Sequence, residues 1–308
     1  MRRRPFITIL CAGVLAATVI ALVWPREREP EYKGKKLSEW IILSYQSRVP
    51  PETRPIDQAR DAVQQIGTNA IPFLLQWIRY EPTAWRRKIL SYRDMGWDNF
   101  LIRILLRDSR DERAGRGQRG LELLGTNAII ALPDLAKSIS DQTAPYTAKR
   151  AARAMGYIGK DALPPLLTEA TNHNNAQRFT IILTLGYLGY LGTNALPAVP
   201  VLIDCLQDTN YLIRMVAARS LGGLQLQPEI VLPALARLAS TNARTRIFAI
   251  LAIRRFGKQP SNPALPIVIA ALSDSDFSTR EIATNALLKI APEVLGTNTQ
   301  SAIPNPEN

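Results

Sequence analysis

The chain is poor in side chains that carry out covalent or metal chemistry. Of its 308 residues one is histidine and two are cysteine. His173 lies in Thr171-Asn172-His173-Asn174-Asn175, a polar stretch that reads as a loop between helices. With no second histidine and no cysteines at metal-ligand spacing, it offers neither a zinc site nor a paired general base. Cys205 sits in an apolar segment and is expected in a core. Cys11 lies inside a separate apolar run, so the two are not expected to pair and the redox compartment stays open. There is no P-loop, no glycine-rich dinucleotide turn after a strand and no Gly-x-Ser-x-Gly. The glycines from Gly186 to Gly192 fall between helices. No catalytic residue, cofactor or metal is expected, and the chain reads as a non-enzyme.

Arginine is what remains. Arg178, Arg214, Arg246 and Arg280 recur once per helical unit and are the candidate partner-binding residues. Aligned along one face, they would form a ladder for an acidic peptide or glycan or, as the alternative function, for nucleic acid or another acidic polymer. The alternative is that each bonds a helix end or an acidic group in the next unit. A second series, Arg103, Arg107, Arg110, Arg113, Arg116 and Arg119, would make one basic stripe on a continuous helix. Gly115 and Gly117 argue against that continuity, since glycine costs about 1 kcal/mol in a helix interior. Asp108, Asp111 and Glu112 would partly neutralise the series. It reads either as a solvated surface of local ion pairs or as an anion-attracting patch.

The elements that position these arginines repeat. Gly-Thr-Asn-Ala occurs at 67–70, 125–128 and 192–195, each time before an apolar segment containing proline. Looser copies run over 161–168, 229–238 and 263–272. Taking Pro72, Pro133, Pro164, Pro200, Pro233 and Pro266 as markers, the steps are 61, 31, 36, 33 and 33 residues, so one degenerate unit is expected between the first two. Upstream of each proline a small or apolar residue is followed four positions later by an apolar one. The pairs are Ala62/Ile66, Gly120/Leu124, Ala151/Met155, Ile181/Leu185, Ala217/Leu221, Ala249/Ile253 and Ala283/Leu287. A spacing of four places both on one helix face, and the small residue lets a neighbouring helix approach. Each unit therefore reads as helix A, turn, helix B. One helix A spans 211–224, burying Leu212, Val216, Ala217 and Leu221; the last spans 277–290 and caps the array. Asp141, Asp208 and Asp274 or Asp276 precede helices A and are expected to cap them.

Asp208, Arg214, Ala217, Leu221 and Gly222 resemble the pattern D-x-x-x-x-x-R-x-x-A-x-x-x-L-G of HEAT repeats, especially the short bacterial units first described in phycobilisome lyases. Arg246 with Ala249, and Arg280 with Ala283, repeat its middle without the glycine. The resemblance covers roughly residues 55–293 and implies an all-α fold, a right-handed α-α superhelix of HEAT-like or armadillo type with about seven repeats over 37–293. It says little about activity. HEAT-like hydroxylases hold iron through His-Glu dipeptides, and none occurs here. Nothing supplies a chromophore site for a lyase or a single catalytic aspartate for a glycosylase, so a lyase-type enzyme is the remotest reading.

The N-terminus stands apart. Arg2, Arg3 and Arg4 precede an uncharged run, of which Phe6 to Trp24 is 19 residues, about 28 Å as a helix, close to a hydrocarbon core of about 30 Å. Residues 1–24 are expected to form a transmembrane signal anchor that makes the protein single-pass in the cell membrane, with the body on the exported side. A cleaved signal using Val19-Ile20-Ala21 and a buried helix are the competing readings. Basic residues on both sides leave the positive-inside count equivocal. Residues 25–36 read as a charged juxtamembrane linker. Tyr32 to Trp40 resembles a Y-x-G-K-x-L-S-x-W element ahead of bacterial HEAT-like arrays and is expected to lead into a capping helix. Residues 294–308 read as a disordered tail.

Net charge is +12, of which +5 lies in residues 1–36, where anionic lipid would attract it. The remaining +7 is spread over 272 residues, a thin footprint for nucleic acid. The expected partners are therefore a protein and, through the N-terminal helix, the membrane.

Overall fold

The computed structural model describes residues 28–46, 54–88, 108–241, 243–259 and 261–295. A two-stranded antiparallel ribbon, β1 (Glu31–Tyr32) and β2 (Lys35–Lys36), opens the described chain. Helix α1 (Leu37–Leu43) follows, then α2 (Pro55–Ile66), α3 (Ile71–Ile78), α4 (Ser109–Leu124), α5 (Leu132–Ser140), α6 (Pro145–Met155) and α7 (Leu163–Thr171). The second half comprises α8 (Arg178–Tyr187), α9 (Ala198–Cys205), α10 (Tyr211–Leu224), α11 (Pro228–Thr241), α12 (Ala243–Arg255), α13 (Leu265–Ala270) and α14 (Phe277–Ile290). The even-numbered helices from α2 to α14 pack each against the next in one row, and α5, α7, α9, α11 and α13 form a second row beside it. One apolar core runs between the rows for the whole length. The architecture is an α-solenoid.

The repeated sequence produces repeated backbone. Gly67, Gly125 and Gly192 share φ near +60° and ψ near −130° (62/−139, 57/−129 and 56/−130). This region favours glycine, and at each position it turns the chain from helix A into a short 3-10 segment. Proline then occupies the first turn of α3, α5, α7 and α13, where its missing N–H costs no helical bond. The marker residues Ala151, Ile181, Ala217, Ala249 and Ala283 are fully buried.

The small residues set the distance between neighbouring first helices. A Cβ on Gly186 would lie 2.6 Å from the Cα of Ser220, one on Gly222 2.9 Å from the Cα of Ala252, and one on Gly223 2.7 Å from the Gly186 carbonyl oxygen. Helices α8, α10 and α12 thus touch backbone to backbone. Ser220 adds a bond across the joint, its hydroxyl donating to the Ile182 carbonyl at 2.8 Å.

Several expectations change. Helix α4 runs unbroken through Gly115 and Gly117. Gly117 and Gly120 lie where α4 crosses α3, and a Cβ there would meet the Leu74 carbonyl at 2.9 Å and the Leu74 side chain at 2.4 Å. Packing against α3 outweighs the helix propensity that glycine lacks. Part of the charged linker is folded: Lys33 and Gly34, both at positive φ, turn the ribbon, and the Trp40 indole donates to the Tyr32 carbonyl at 3.0 Å. The all-α expectation therefore needs a small β ribbon added, and together with α1 it covers the first end of the core through Leu37 and Ile41. Leu212 is exposed, and Ile213 takes the buried position instead.

Of the aspartates expected to cap first helices, Asp276 does so and the others act differently. Asp141, Asp208 and Asp274 each accept from the backbone N–H two residues on. Asn210 and Asp276 are the caps of α10 and α14. Among the described residues no helix is long and apolar enough to cross a membrane. The anchor segment 1–24, most of the degenerate unit before Asp108 and the tail beyond Leu295 lie outside the described residues.

Two glycines separate packing from propensity. Gly186→Ala should lower stability by about 1–3 kcal/mol, because α8 and α10 must part. Gly115→Ala, with open space at its Cβ, should leave stability unchanged or raise it by up to about 1 kcal/mol. Chemical denaturation of the two variants checks this, and equal effects would remove the close-approach argument.

Candidate functional site

The four ladder arginines lie in the joints between repeats. Arg178, at the start of α8, is 8% exposed. Its Nε donates to the Ala170 carbonyl at the end of α7 at 2.6 Å, and its guanidinium pairs with Asp208 in the loop before α10. Arg246 repeats this in α12, donating to the Ala239 carbonyl at 2.9 Å and pairing with Asp274 before α14. Arg214 and Arg280 close the same joints from the other side. Arg214 donates to the Asp208 and Thr209 carbonyls at 2.6 and 3.0 Å, and Arg280 to those of Asp274 and Ser275 at 2.8 and 3.0 Å. Each therefore satisfies loop or helix-end carbonyls that would otherwise lack donors. A further joint, invisible to the repeat pattern, is made by Arg150 of α6, which donates to the Ile78 and Tyr80 carbonyls at 3.2 and 2.6 Å and pairs with Asp111 at 2.6 Å.

The joints hold their carboxylates ionised. Burial pushes the Asp208 carboxyl up, but the hydrogen bonds from Arg178 and the Asn210 N–H, with the Arg178 charge, outweigh it and bring it below the ordinary aspartate range. Asp274 is lowered by the Asp276 N–H and then by Arg246. At the head of α4, Asp108 is lowered first by the Tyr80 hydroxyl, which donates to it at 2.5 Å, and then by the Arg110 N–H. His173 is exposed in its loop, with Nδ1 3.7 Å from Asp208. Cys205 is buried, and burial raises its thiol. Among the described residues no three His, Cys, Asp or Glu side chains are arranged to hold a metal ion.

A different face carries the free chemistry. A groove of about 590 Å³ crosses α8, α10, α12 and α14. Its apolar wall comes from Phe179, Leu183, Met215, Phe248 and Leu251, and Arg219, Arg254, Arg255 and Lys289 also line it. A smaller depression of about 270 Å³ shares Leu183, Arg219 and Arg255 and extends the groove to Tyr187 and Tyr190. No carboxylate lines either. These four cations are exposed and have no ion pair among the described residues. Beyond Tyr187 the surface continues to Arg153, Tyr157 and Glu122. Burial raises the Tyr157 and Tyr190 hydroxyls, which stay protonated donors, and Tyr190 donates to the Gly156 carbonyl at 3.2 Å.

A signal for this face exists in the sequence. It lies two residues beyond each member of the last five buried pairs: Arg153 and Tyr157, Leu183 and Tyr187, Arg219 and Gly223, Leu251 and Arg255, Asn285 and Lys289. The ladder arginines sit three residues before the first member, on another side of the helix.

Residues 132–222 match the family model of HEAT repeats. This segment runs from α5 to the end of α10 and includes the Arg178–Asp208 joint and the Phe179–Arg219 part of the groove. No curated protein matches the chain by sequence. Among solved structures, two engineered proteins are similar at 16% and 17% identity. Each match covers 82% of this chain, with 67% and 95% of theirs, and both have a TM-score of 0.40. The complex of CpcE and CpcF of phycocyanin lyase from Nostoc sp. PCC7120 is similar at 17% identity over 90% of this chain and 98% of that one, with a TM-score of 0.37.

The joint has a measurable signature. Arg178→Met leaves the buried Asp208 carboxylate without its countercharge and should cost about 3–5 kcal/mol. Because the folded carboxyl is lowered, its contribution is complete above about 3.9 and is lost as pH falls through the lowered value. The thermal midpoint of the wild type should thus fall more steeply with acid, below about pH 4, than that of Asp208→Asn. Parallel pH profiles, or an unchanged midpoint in Arg178→Met, would mean that the pair is dispensable.

Proposed function

We propose that the chain is a non-enzymatic, membrane-tethered helical-repeat scaffold that holds a protein partner in the groove across α8, α10, α12 and α14. The observation that carries this reading is the partition of its cations. Arg178, Arg214, Arg246 and Arg280 are committed to joints, whereas Arg219, Arg254, Arg255 and Lys289 face solvent beside an apolar wall. Aromatic, methionine and arginine side chains around a recess are the composition of protein-binding hot spots. Support for a non-catalytic role comes from the residue inventory, with one exposed loop histidine and one described thiol, which is buried. The tether rests on the apolar run from Phe6 to Trp24.

Capture from detergent-solubilised cells by the full chain tests the scaffold. A discrete protein should be retained through nuclease and moderate salt, and lost with Tyr187→Ala/Leu251→Asp, whose side chains are exposed enough to spare the fold. Loss of all capture on nuclease treatment would instead identify an acidic polymer as the ligand, since counterion release ties such binding to salt. Capture indifferent to the groove variant would move the site elsewhere.

The tether has its own test. The full chain should stay with membranes through an alkaline carbonate wash, and a chain lacking residues 1–24 should not. An alkaline phosphatase fused after Asn308 should be active, as export of the body requires. Release of the full chain by carbonate, or an inactive fusion, would overturn the anchor or its orientation respectively.

A further inference from the structure

We infer that the groove is built for an acidic amphipathic helix, one that lays an apolar stripe on the Phe179–Leu183–Met215–Leu251 wall and sets carboxylates at heptad spacing against the cations. This rests on the scaffold reading and specifies the partner's chemistry.

Three observations lead to it. The first is charge. The groove presents four cations and no carboxylate, so an acidic ligand is favoured and a second copy of this chain, at +12, is not. The second is the wall. It is dominated by aliphatic, aromatic and methionine side chains, with few groups to satisfy an extended backbone. A helix satisfies its own N–H and C=O groups and can dock by side chains alone.

The third observation is spacing. The cations come from consecutive first helices, with Arg219 on α10, Arg254 and Arg255 on α12 and Lys289 on α14. Packed helices lie about 8–10 Å apart. A docked helix rising about 1.5 Å per residue crosses one such interval in about five to seven residues. Carboxylates one heptad apart therefore meet successive cations while the apolar stripe stays on the wall. Tyr187 lies at the α8 end of the same path.

The test uses defined probes on the full chain. One is an acetylated, amidated peptide of about 21 residues, three heptads each with two leucines and one flanking glutamate. The second replaces each glutamate with lysine. The third keeps three glutamates but clusters them in one heptad. A single-stranded oligothymidine is the fourth. Fluorescence anisotropy should show the first peptide binding at least about tenfold more tightly than the lysine and clustered peptides. That preference should vanish in Arg219→Glu/Arg255→Glu, whose thermal midpoint should match the wild type because both side chains are exposed and neither has an ion pair among the described residues. Equal binding of the glutamate and lysine peptides, or binding unchanged in the double variant, would overturn the proposal. Displacement of the glutamate peptide by oligothymidine would overturn it in favour of a nucleic-acid groove. No peptide binding, together with a groove-dependent captured protein, would leave the scaffold standing and reject the acidic helix.

Discussion

The structure depends on how closely the first helices approach one another. In a solenoid each unit buries its core only against its neighbours, so the spacing between units is the quantity that everything else inherits. Here backbone contact sets it, through Gly186 against Ser220, Gly223 against Gly186 and Gly222 against Ala252. Helices held this close have little room between them for side chains at the contact. Longer residues one step around the helix are turned outward instead. Phe179, Leu183, Met215 and Leu251 therefore line a shared recess rather than fill a core, and Gly223 opens the depression between Tyr187 and Arg255. The same small residues that stabilise the array also make its groove.

Close approach fixes distance but not register, and the arginine joints supply the second constraint. Arg178 with Asp208 and Arg246 with Asp274 are equivalent pairs 68 and 66 residues apart along the chain, with Arg214 and Arg280 completing each joint. A buried ion pair contributes little net stability relative to well-packed apolar residues, yet breaking one side of it is costly. Its effect is to penalise any slip that separates the guanidinium from its carboxylate and carbonyls. The joint recurs between α8 and α10 and again between α12 and α14.

Much of the fold is legible in the sequence for a physical reason. Ala217 and Leu221, or Ala249 and Ile253, are constrained by local helical geometry, so a spacing of four reports a buried face directly. Gly67, Gly125 and Gly192 are equally legible because a backbone at positive φ admits few other residues. The continuity of α4 is not legible, since the cost of Gly115 and Gly117 is local while the compensation comes from Leu74, about forty residues away. The ribbon at 31–36 is hidden for a similar reason, being held by Trp40 across a turn that composition alone presents as a charged linker.

The site is the least legible part, and the arginines show why. Arg214 and Arg219 are five residues apart on one helix and identical in type. Residue type does not distinguish the one that closes a joint from the one that meets solvent; only their positions do, three residues before and two after Ala217. The difference lies in what stands opposite each: the carbonyls of Asp208 and Thr209 for Arg214, and Leu183, Gly223 and Arg255 for Arg219. A guanidinium already donating to two loop carbonyls cannot turn to a ligand without breaking those bonds. An exposed guanidinium without an ion pair among the described residues, such as Arg219, meets no such obstacle. The proposed face is therefore marked by the cations that have no ion pair among the described residues, and the partners of each arginine show which those are.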